Sequence, residues 1–554
     1  MRFPSRLPAL TVLCVTLAIL GLVAAPAPAP APAATNQESI IQDDSALDSN
    51  PAGTLAKMRL LGADRVRVTV SWNTIAPRPD SYRRPSGFRA ADPASYPQVN
   101  WTIYDTIVKD ARRDGIAVDF TLTGPAPLWA TGRGAPARGV AEWKPSSREY
   151  GSFVRAIATR YSGSYVPPGA SSALPRVSFW TIWNEPNFGE DLAPQAIRGS
   201  TVSVGPGMYR GLLDAAWSAF QGTGHGHDTI LIGETSARGL SGRASRQAPQ
   251  GYPGNFAQTK PLQFIRTLYC VDSAYRELRG APAGARACPT TAAASRRFRA
   301  ANPGLFHASG FGIHPYPQNL PPTEESSKDP DYVAFSELPR LGRELDRLQG
   351  VYGSHTRFPI YNDEYGYITH PPNHGRYVSP PTAAYYINWA EYLSWRNPRI
   401  KTTMQYLLRD PHPTGGNDFA SGLEFVNGKP KPSYYSYRLP LYLPVTSAKR
   451  GNRLEVWGCA RPAHFATLDT GKLQHVQIQF RRRSAGAFQT ISTIAIRNFR
   501  GYFDLRVRFP ASGTVRLAYT YPASNSLPPA AANPLLPAYK AMTYYSRYVG
   551  VKVR

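Results

Sequence analysis

Between Glu38 and Leu408, eight short apolar runs alternate with helical patterns, and few folds accommodate that alternation. The runs are Ser39–Ile41, Arg65–Val70, Ala117–Leu122, Val177–Ile182, Thr229–Ile232, Gly310–Ile313, Pro359–Tyr361 and Thr402–Leu407. Between them apolar residues recur at helical spacing, as in Ile103, Tyr104, Ile107, Val108 and Ala111. Phe153, Val154, Ile157, Ala158 and Tyr161 form a second set, Tyr209, Leu212, Leu213, Ala216 and Phe220 a third, and Leu338, Leu341, Leu345 and Leu348 another. Eight strands each followed by a helix predict an α/β fold, a (β/α)8 TIM barrel. An open doubly wound sheet is the runner-up, but no Gly-rich phosphate loop follows the first strand.

A chain of 554 residues favours more than one domain. After Leu439 the helical period stops and short strand patterns separated by turns take over: Leu454–Trp457, Val476–Phe480, Phe488–Ile494, Gly501–Val507, Val515–Tyr519 and Tyr548–Val553. The expected division is a barrel over residues 35–438 and a C-terminal β-sandwich over 439–554, interrupted by a Pro/Ala-rich stretch from Pro528 to Pro537. The sandwich either binds substrate or supports the barrel. Residues 1–34 read as a secretory signal and Ala/Pro linker: Arg2 and Arg6 precede an apolar run from Leu7 to Ala25, then Ala-Pro repeats. Secretion is the expectation, with a retained N-terminal anchor as the alternative. No later segment is apolar enough to span a membrane.

The net charge of +26 comes from 63 Lys and Arg against 37 Asp and Glu. A GC-rich genome writes Arg-, Ala- and Pro-rich chains of this kind, and attraction to acidic glycans is the functional alternative. No basic tract exceeds Arg481-Arg482-Arg483, and no nucleic-acid motif occurs, so nucleic acid is not an expected partner. Cys14 falls in the signal. Cys270 and Cys288 flank a polar loop and are expected to pair as a disulfide in an exported protein, leaving Cys459 single and buried in a strand. No zinc spacing is present.

Chemistry concentrates where strands end. In a barrel, the C-terminal strand ends form the active-site mouth. The fourth run ends in Trp183-Asn184-Glu185-Pro186-Asn187, a carboxylate beside an amide and indoles. A carboxyl among aromatic surfaces is poorly solvated and holds its proton more tightly, which suits a general acid. The sixth run leads into His314-Pro315-Tyr316 and the seventh into Asn362-Asp363-Glu364-Tyr365-Gly366. The second contains Arg67, with Trp72 just beyond. Retaining glycoside hydrolysis needs two carboxyl groups about 5–5.5 Å apart. Glu185 is the expected acid/base. Glu364 is the expected nucleophile, kept ionised by Arg67 and positioned by Tyr316.

With these residues in view, Trp183-Asn184-Glu185-Pro186, His314-x-Tyr316 and Glu364-Tyr365-Gly366 resemble the clan A retaining glycoside hydrolases, with families 5 and 39 nearest. The resemblance covers roughly residues 38–440. It implies a (β/α)8 barrel, retention of configuration, Glu185 as acid/base and Glu364 as nucleophile. The Gly124-Pro125-Ala126-Pro127-Leu128-Trp129 loop is closer to family 39. Where these enzymes often carry Trp at the end of strand eight, this chain has Tyr406, and Asp363 stands where Thr is more usual.

Arg67, Trp72, Trp129, Asn184, His314, Tyr316 and Tyr406 are the expected substrate-binding set. Trp180 reads as core, and Glu234 ends strand five without an assigned role. His225-Gly226-His227-Asp228 reads as a solvated turn and not a metal cluster, and His370 and His374 read the same way. The overall expectation is a secreted, monomeric glycoside hydrolase acting on a polysaccharide or oligosaccharide without metal or organic cofactor. A non-catalytic glycan-binding protein on a hydrolase scaffold and a transglycosylase are the alternatives.

Overall fold

The computed structural model describes residues 34–137, 139–325, 327–414, 418–482, 486–522 and 541–554. The expected signal segment and the Pro528–Pro537 stretch lie outside these. All eight expected strands form: β1 Glu38–Gln42, β2 Arg65–Ser71, β3 Ala117–Thr123, β4 Phe179–Ile182, β5 Thr229–Ser236, β6 Gly310–His314, β7 Ile360–Asn362 and β8 Thr402–Tyr406. They pair in parallel from β7 back through β1 to β8. The remaining seam closes where Ile360 N donates to Arg399 O at 2.8 Å and Lys401 N donates to Ile360 O at 2.9 Å. The sheet is thus a closed barrel.

Helices follow the strands and bury apolar stripes on the barrel's outer side. Ile107, Val108 and Ala111 of the helix Thr102–Asp114, and Phe153, Val154 and Ile157 of Ser147–Arg160, join Phe120 and Trp180 in one core. The helix starts are locally encoded. Ser146 Oγ accepts from Glu149 N at 3.4 Å, with the acidic residue in the first turn complementing the helix dipole. Gly115 ends its helix at φ +71°, a conformation that costs a glycine nothing.

The barrel interior departs from the usual filling of branched aliphatic side chains. Gln42, Arg67 and Asp119 stand level on β1, β2 and β3 and are all buried. This polar layer underlies the mouth of the barrel.

Past the helix Pro432–Arg438 the chain enters two further sheets. One holds Ser447–Ala448, Val549–Val553, Gly513–Tyr521, Gln474–Arg481, Gln489–Ile496 and Met542–Tyr545; the other holds Tyr502–Arg508, Arg453–Cys459 and Leu441–Tyr442. Leu454, Val456, Val476, Ile478, Val515 and Leu517 from both sheets share one core, a β-sandwich arrangement. A helix, Ala463–Thr470, interrupts a region that sequence periodicity assigns wholly to strands. Its eight residues are too few for a helical period to stand out.

The sandwich docks on the barrel end opposite the mouth. Arg500 Nη1 donates to Asp64, just before β2, and Nη2 to Glu38, the first residue of β1, both at 2.7 Å. Arg461 meets both Glu391 oxygens at 2.8 Å, fully enclosed. Arg59 meets Asp469 at 2.6 Å. A disulfide joins Cys270 to Cys288, and Cys459 is a buried free thiol at the end of its strand. No helix among the described residues is long and apolar enough to cross a membrane.

Candidate active site

The backbone turns sharply as it leaves β4. Trp183 (φ +71°) and Glu185 (φ +34°) both occupy the left-handed region, at a cost of order 1–3 kcal/mol each for residues with a Cβ. The turn sends the Trp183 ring into the core against Tyr150 and Gly124, and the Glu185 carboxyl to the mouth. At β5 a register shift between Gly233 and Thr235 puts Glu234 (φ +51°) into a bulge that re-aims its side chain inward.

Four strand ends then converge. One carboxylate oxygen of Glu185, one of Glu364 and a ring nitrogen of His314 all lie within 4.8 Å of one another. Arg67 Nη1 donates to Glu364 Oε1 at 2.7 Å and to Gln42 Oε1 at 2.6 Å. Its Nη2 donates to Asn184 Oδ1 at 3.2 Å and to Glu234 Oε2 at 3.3 Å. Tyr316 O–H donates to Glu364 Oε2 at 3.1 Å. His314 Nδ1 stands 3.0 Å from Glu185 Oε1 and 3.5 Å from Glu364 Oε2, and its Nε2 stands 3.1 Å from Glu234 Oε2. Asn184 Nδ2 donates to Asp191 Oδ1 at 3.4 Å.

The electrostatics follow from these contacts. Burial acts to raise the Glu364 pKa, but His314, Arg67 and the Tyr316 hydroxyl outweigh it and hold the carboxyl below its ordinary value. Burial acts to discharge His314. The anions Glu364, Glu185 and Glu234 around it win, pushing the imidazole up to about 10. Arg67 is likewise held charged against burial by Glu364 and Glu234. Asp191 moves the other way: burial, with the nearby Glu185 charge, pushes it up to about 8. Asp119 is pushed up to about 7 by burial, against the pull of Arg67.

Above these groups opens a cavity of about 900 Å³. Asn184, Glu185, Tyr316, Glu364 and Tyr406 line it, with Arg238, Gln258, Gln318, Asn319, His374, Arg376, Tyr377 and Phe419 from the surrounding loops. The arrangement presents one carboxylate clamped as an anion and a second facing it across the cavity floor.

The structure thus brings together Glu185, Glu364, Arg67, Asn184, His314, Tyr316 and Tyr406. Two expected sugar platforms lie outside the cavity lining. Trp72 is wholly buried, stacked on Phe153 at 5.6 Å, because the short helix it begins turns its ring under the strand ends. Trp129 packs edge-on against Trp72 and Phe88, its Nε1 donating to Pro77 O, and does not line the cavity. The Trp183 indole is also core and offers no face to a ligand. His225 is not in a solvated turn: it is buried, with Nδ1 2.6 Å from Asp228 Oδ2 and Nε2 2.9 Å from Ala158 O. Asn187 is structural, tying Ser236 at the end of β5 and Thr259 of the following loop to the β4 turn.

Sequence reasoning missed Gln42, Asp191 and Phe419 and left Glu234 without a role. Gln42 was legible as a polar residue closing an apolar strand; Phe419, exposed at 39% in a long loop, carried no signal.

No protein-family profile matches the chain, and no curated protein matches it. Solved structures do resemble it. One is a family 39 glycoside hydrolase from the gut symbiont Bacteroides cellulosilyticus, 14% identical, covering 86% of this chain and 80% of that one at a TM-score of 0.43. Another is an exo-β-1,4-mannosidase from an Opitutaceae bacterium, 15% identical, covering 73% and 58% at 0.40. A third is a family 1 β-glucosidase from Thermotoga maritima, 14% identical, covering 70% and 85% at 0.43. Likenesses this distant carry no weight for chemistry, which rests on the geometry of the site.

Proposed function

We propose that this chain is a retaining glycoside hydrolase, with Glu364 as nucleophile and Glu185 as acid/base. The observation that carries the reading is the approach of the two carboxyl groups within 4.8 Å at the floor of an open cavity. Inverting hydrolysis places a water between its carboxyls and needs about 6.5–9.5 Å. The electrostatics support the assignment of roles. Glu364 receives Arg67 and Tyr316 and is held as an anion, ready to attack an anomeric carbon. Among the described residues no Arg or Lys pairs with Glu185; its contact is His314 at 3.0 Å, and it takes the acid/base role.

Attack by Glu364 forms a glycosyl ester as the leaving oxygen takes the Glu185 proton. Glu185, now a carboxylate, removes a proton from water, which hydrolyses the ester with net retention. The residues needed for this are all side chains of the chain itself. The disulfide and the N-terminal 34 residues support action outside the cytosol.

A panel of aryl glycosides and polysaccharides, assayed with wild type, Glu185→Gln and Glu364→Gln, tests the proposal. Hydrolysis by wild type and loss of several orders of magnitude in each variant is the expected result. Glycan binding by wild type without release of a reducing end would replace the proposal with a binding function.

A further inference from the structure

Beneath the two reacting carboxyls lies a second pair that the proposed mechanism does not use. Glu234, from the β5 bulge, and Asp363, directly before Glu364, are both fully buried. Their carboxyl groups meet over Gly312 of β6. A Cβ at that glycine would stand 1.5 Å from Glu234 Oε1 and 2.8 Å from Asp363 Oδ2, so the missing side chain makes the room they share. Among the described residues no N–H or hydroxyl donor reaches either Asp363 oxygen or Glu234 Oε1. The other Glu234 oxygen is taken by Arg67 and His314.

Two buried carboxylates in contact repel strongly, and one proton held between them removes the repulsion. That proton belongs to Asp363, because Glu234 alone has cations bound to it. We propose that Glu234 and Asp363 are positioning residues for the glycosidase site: Asp363 holds a proton and donates it to Glu234, and the pair presents one negative charge that fixes Arg67 and His314. The inference rests on the reading of Glu185 and Glu364 as the reacting pair. Burial and the Glu234 charge both push the Asp363 carboxyl far above the usual carboxylate range, in the direction the geometry requires.

The charges then balance. Arg67 and His314 are two cations, and Glu364 and Glu234 two anions, so Glu185 is left to cycle between acid and carboxylate. An ionised Asp363 would add a charge with no cation in contact. The other groups that face the pair are Asp119 on β3, Tyr361 on β7 and Tyr209 from the helix Gly205–Gln221, whose hydroxyl accepts from Gly233 N at 2.9 Å.

The test compares wild type with Asp363→Asn and Glu234→Gln. Infrared spectra of the resting protein near pH 7 read the carbonyl stretch of a protonated carboxylic acid. Nuclear magnetic resonance of the histidines reads the His314 titration, assigned with His314→Gln. The expected result is a carboxylic-acid band of Asp363 that disappears in Asp363→Asn, beside the acid band of Asp191, which both proteins keep. An amide in that position keeps both the donor and the charge, so the His314 titration does not move. Glu234→Gln lowers the His314 titration by about one pH unit or more and kcat/KM by about 100-fold.

No loss of the band in Asp363→Asn, or a fall in its His314 titration like that of Glu234→Gln, would show that Asp363 carries charge and would overturn the proposal. Both spectra are recorded without substrate. A band and titration as expected in a protein that hydrolyses no glycoside would refute the proposed function and leave the carboxyl pair standing.

Discussion

Replacing Arg67 by Met keeps the volume of the side chain and removes the cation around which the site is organised. Arg67 is fully buried and bonds Gln42, Glu364, Asn184 and Glu234. Taking one partner from a buried ion cluster strands the rest and costs about 3–5 kcal/mol. At roughly 2 cal/mol/K per residue, a 554-residue chain loses about 1 kcal/mol per degree at its midpoint, so Tm falls by roughly 3–5 °C near pH 8. The same loss at the nucleophile lowers kcat/KM by at least about 100-fold.

The pH dependence has a definite sign. In wild type the Glu364 pKa is depressed, so its contribution to stability is present above the ordinary carboxylate value and is lost as pH falls through the folded one. Without Arg67 the carboxyl is released from that depression and its pKa rises. Protonation then relieves the stranded charge, and the difference in Tm between variant and wild type shrinks on going from pH 8 to pH 5. Thermal melts by circular dichroism at the two pH values read this directly. A difference that is constant or larger at pH 5, or an unchanged Tm at pH 8, refutes the view that Arg67 acts as the counter-charge of the site.

Trp72→Ala should lower stability by about 3–5 kcal/mol, read by denaturant titration, while the folded fraction keeps its KM; a selective rise in KM would return Trp72 to the cleft. Phe419→Ala should raise KM about tenfold with little change in Tm, because the half-exposed ring closes an aromatic wall with Tyr316 and Tyr406. Cys270→Ser with Cys288→Ser opens a loop spanning 18 positions and should cost about 3 kcal/mol without altering kcat, as measured by melts and initial rates.

Much of the barrel is legible in the sequence because strands buried on both faces leave apolar runs such as Val177–Ile182, and their covering helices leave a regular period. The candidate pair was legible for a related reason: Glu185 and Glu364 are charged residues directly after apolar strands, where a barrel gathers its chemistry. The tryptophans were not. Whether an indole after a strand faces the cavity or the core depends on one or two backbone angles, and the left-handed turn at Trp183 decides it for that ring. Glu234 was visible as a strand-end acid, but its inward aim depends on a bulge, and its meeting with Asp363 depends on Gly312 of a third strand. Contacts of that kind join residues 51 and more positions apart and leave no local pattern. Short elements such as Ser447–Ala448 and the helix Ala463–Thr470 escape notice because a period needs length to show.

The most direct test of the central claim is to trap the glycosyl-enzyme. The protein is incubated with the 2-deoxy-2-fluoro derivative of whichever aryl glycoside it hydrolyses, then digested and sequenced by mass spectrometry. The expected result is one sugar attached through an ester to Glu364, with no adduct in Glu364→Gln. An adduct on another carboxyl, or release of product with inverted anomeric configuration and no adduct at all, would contradict it.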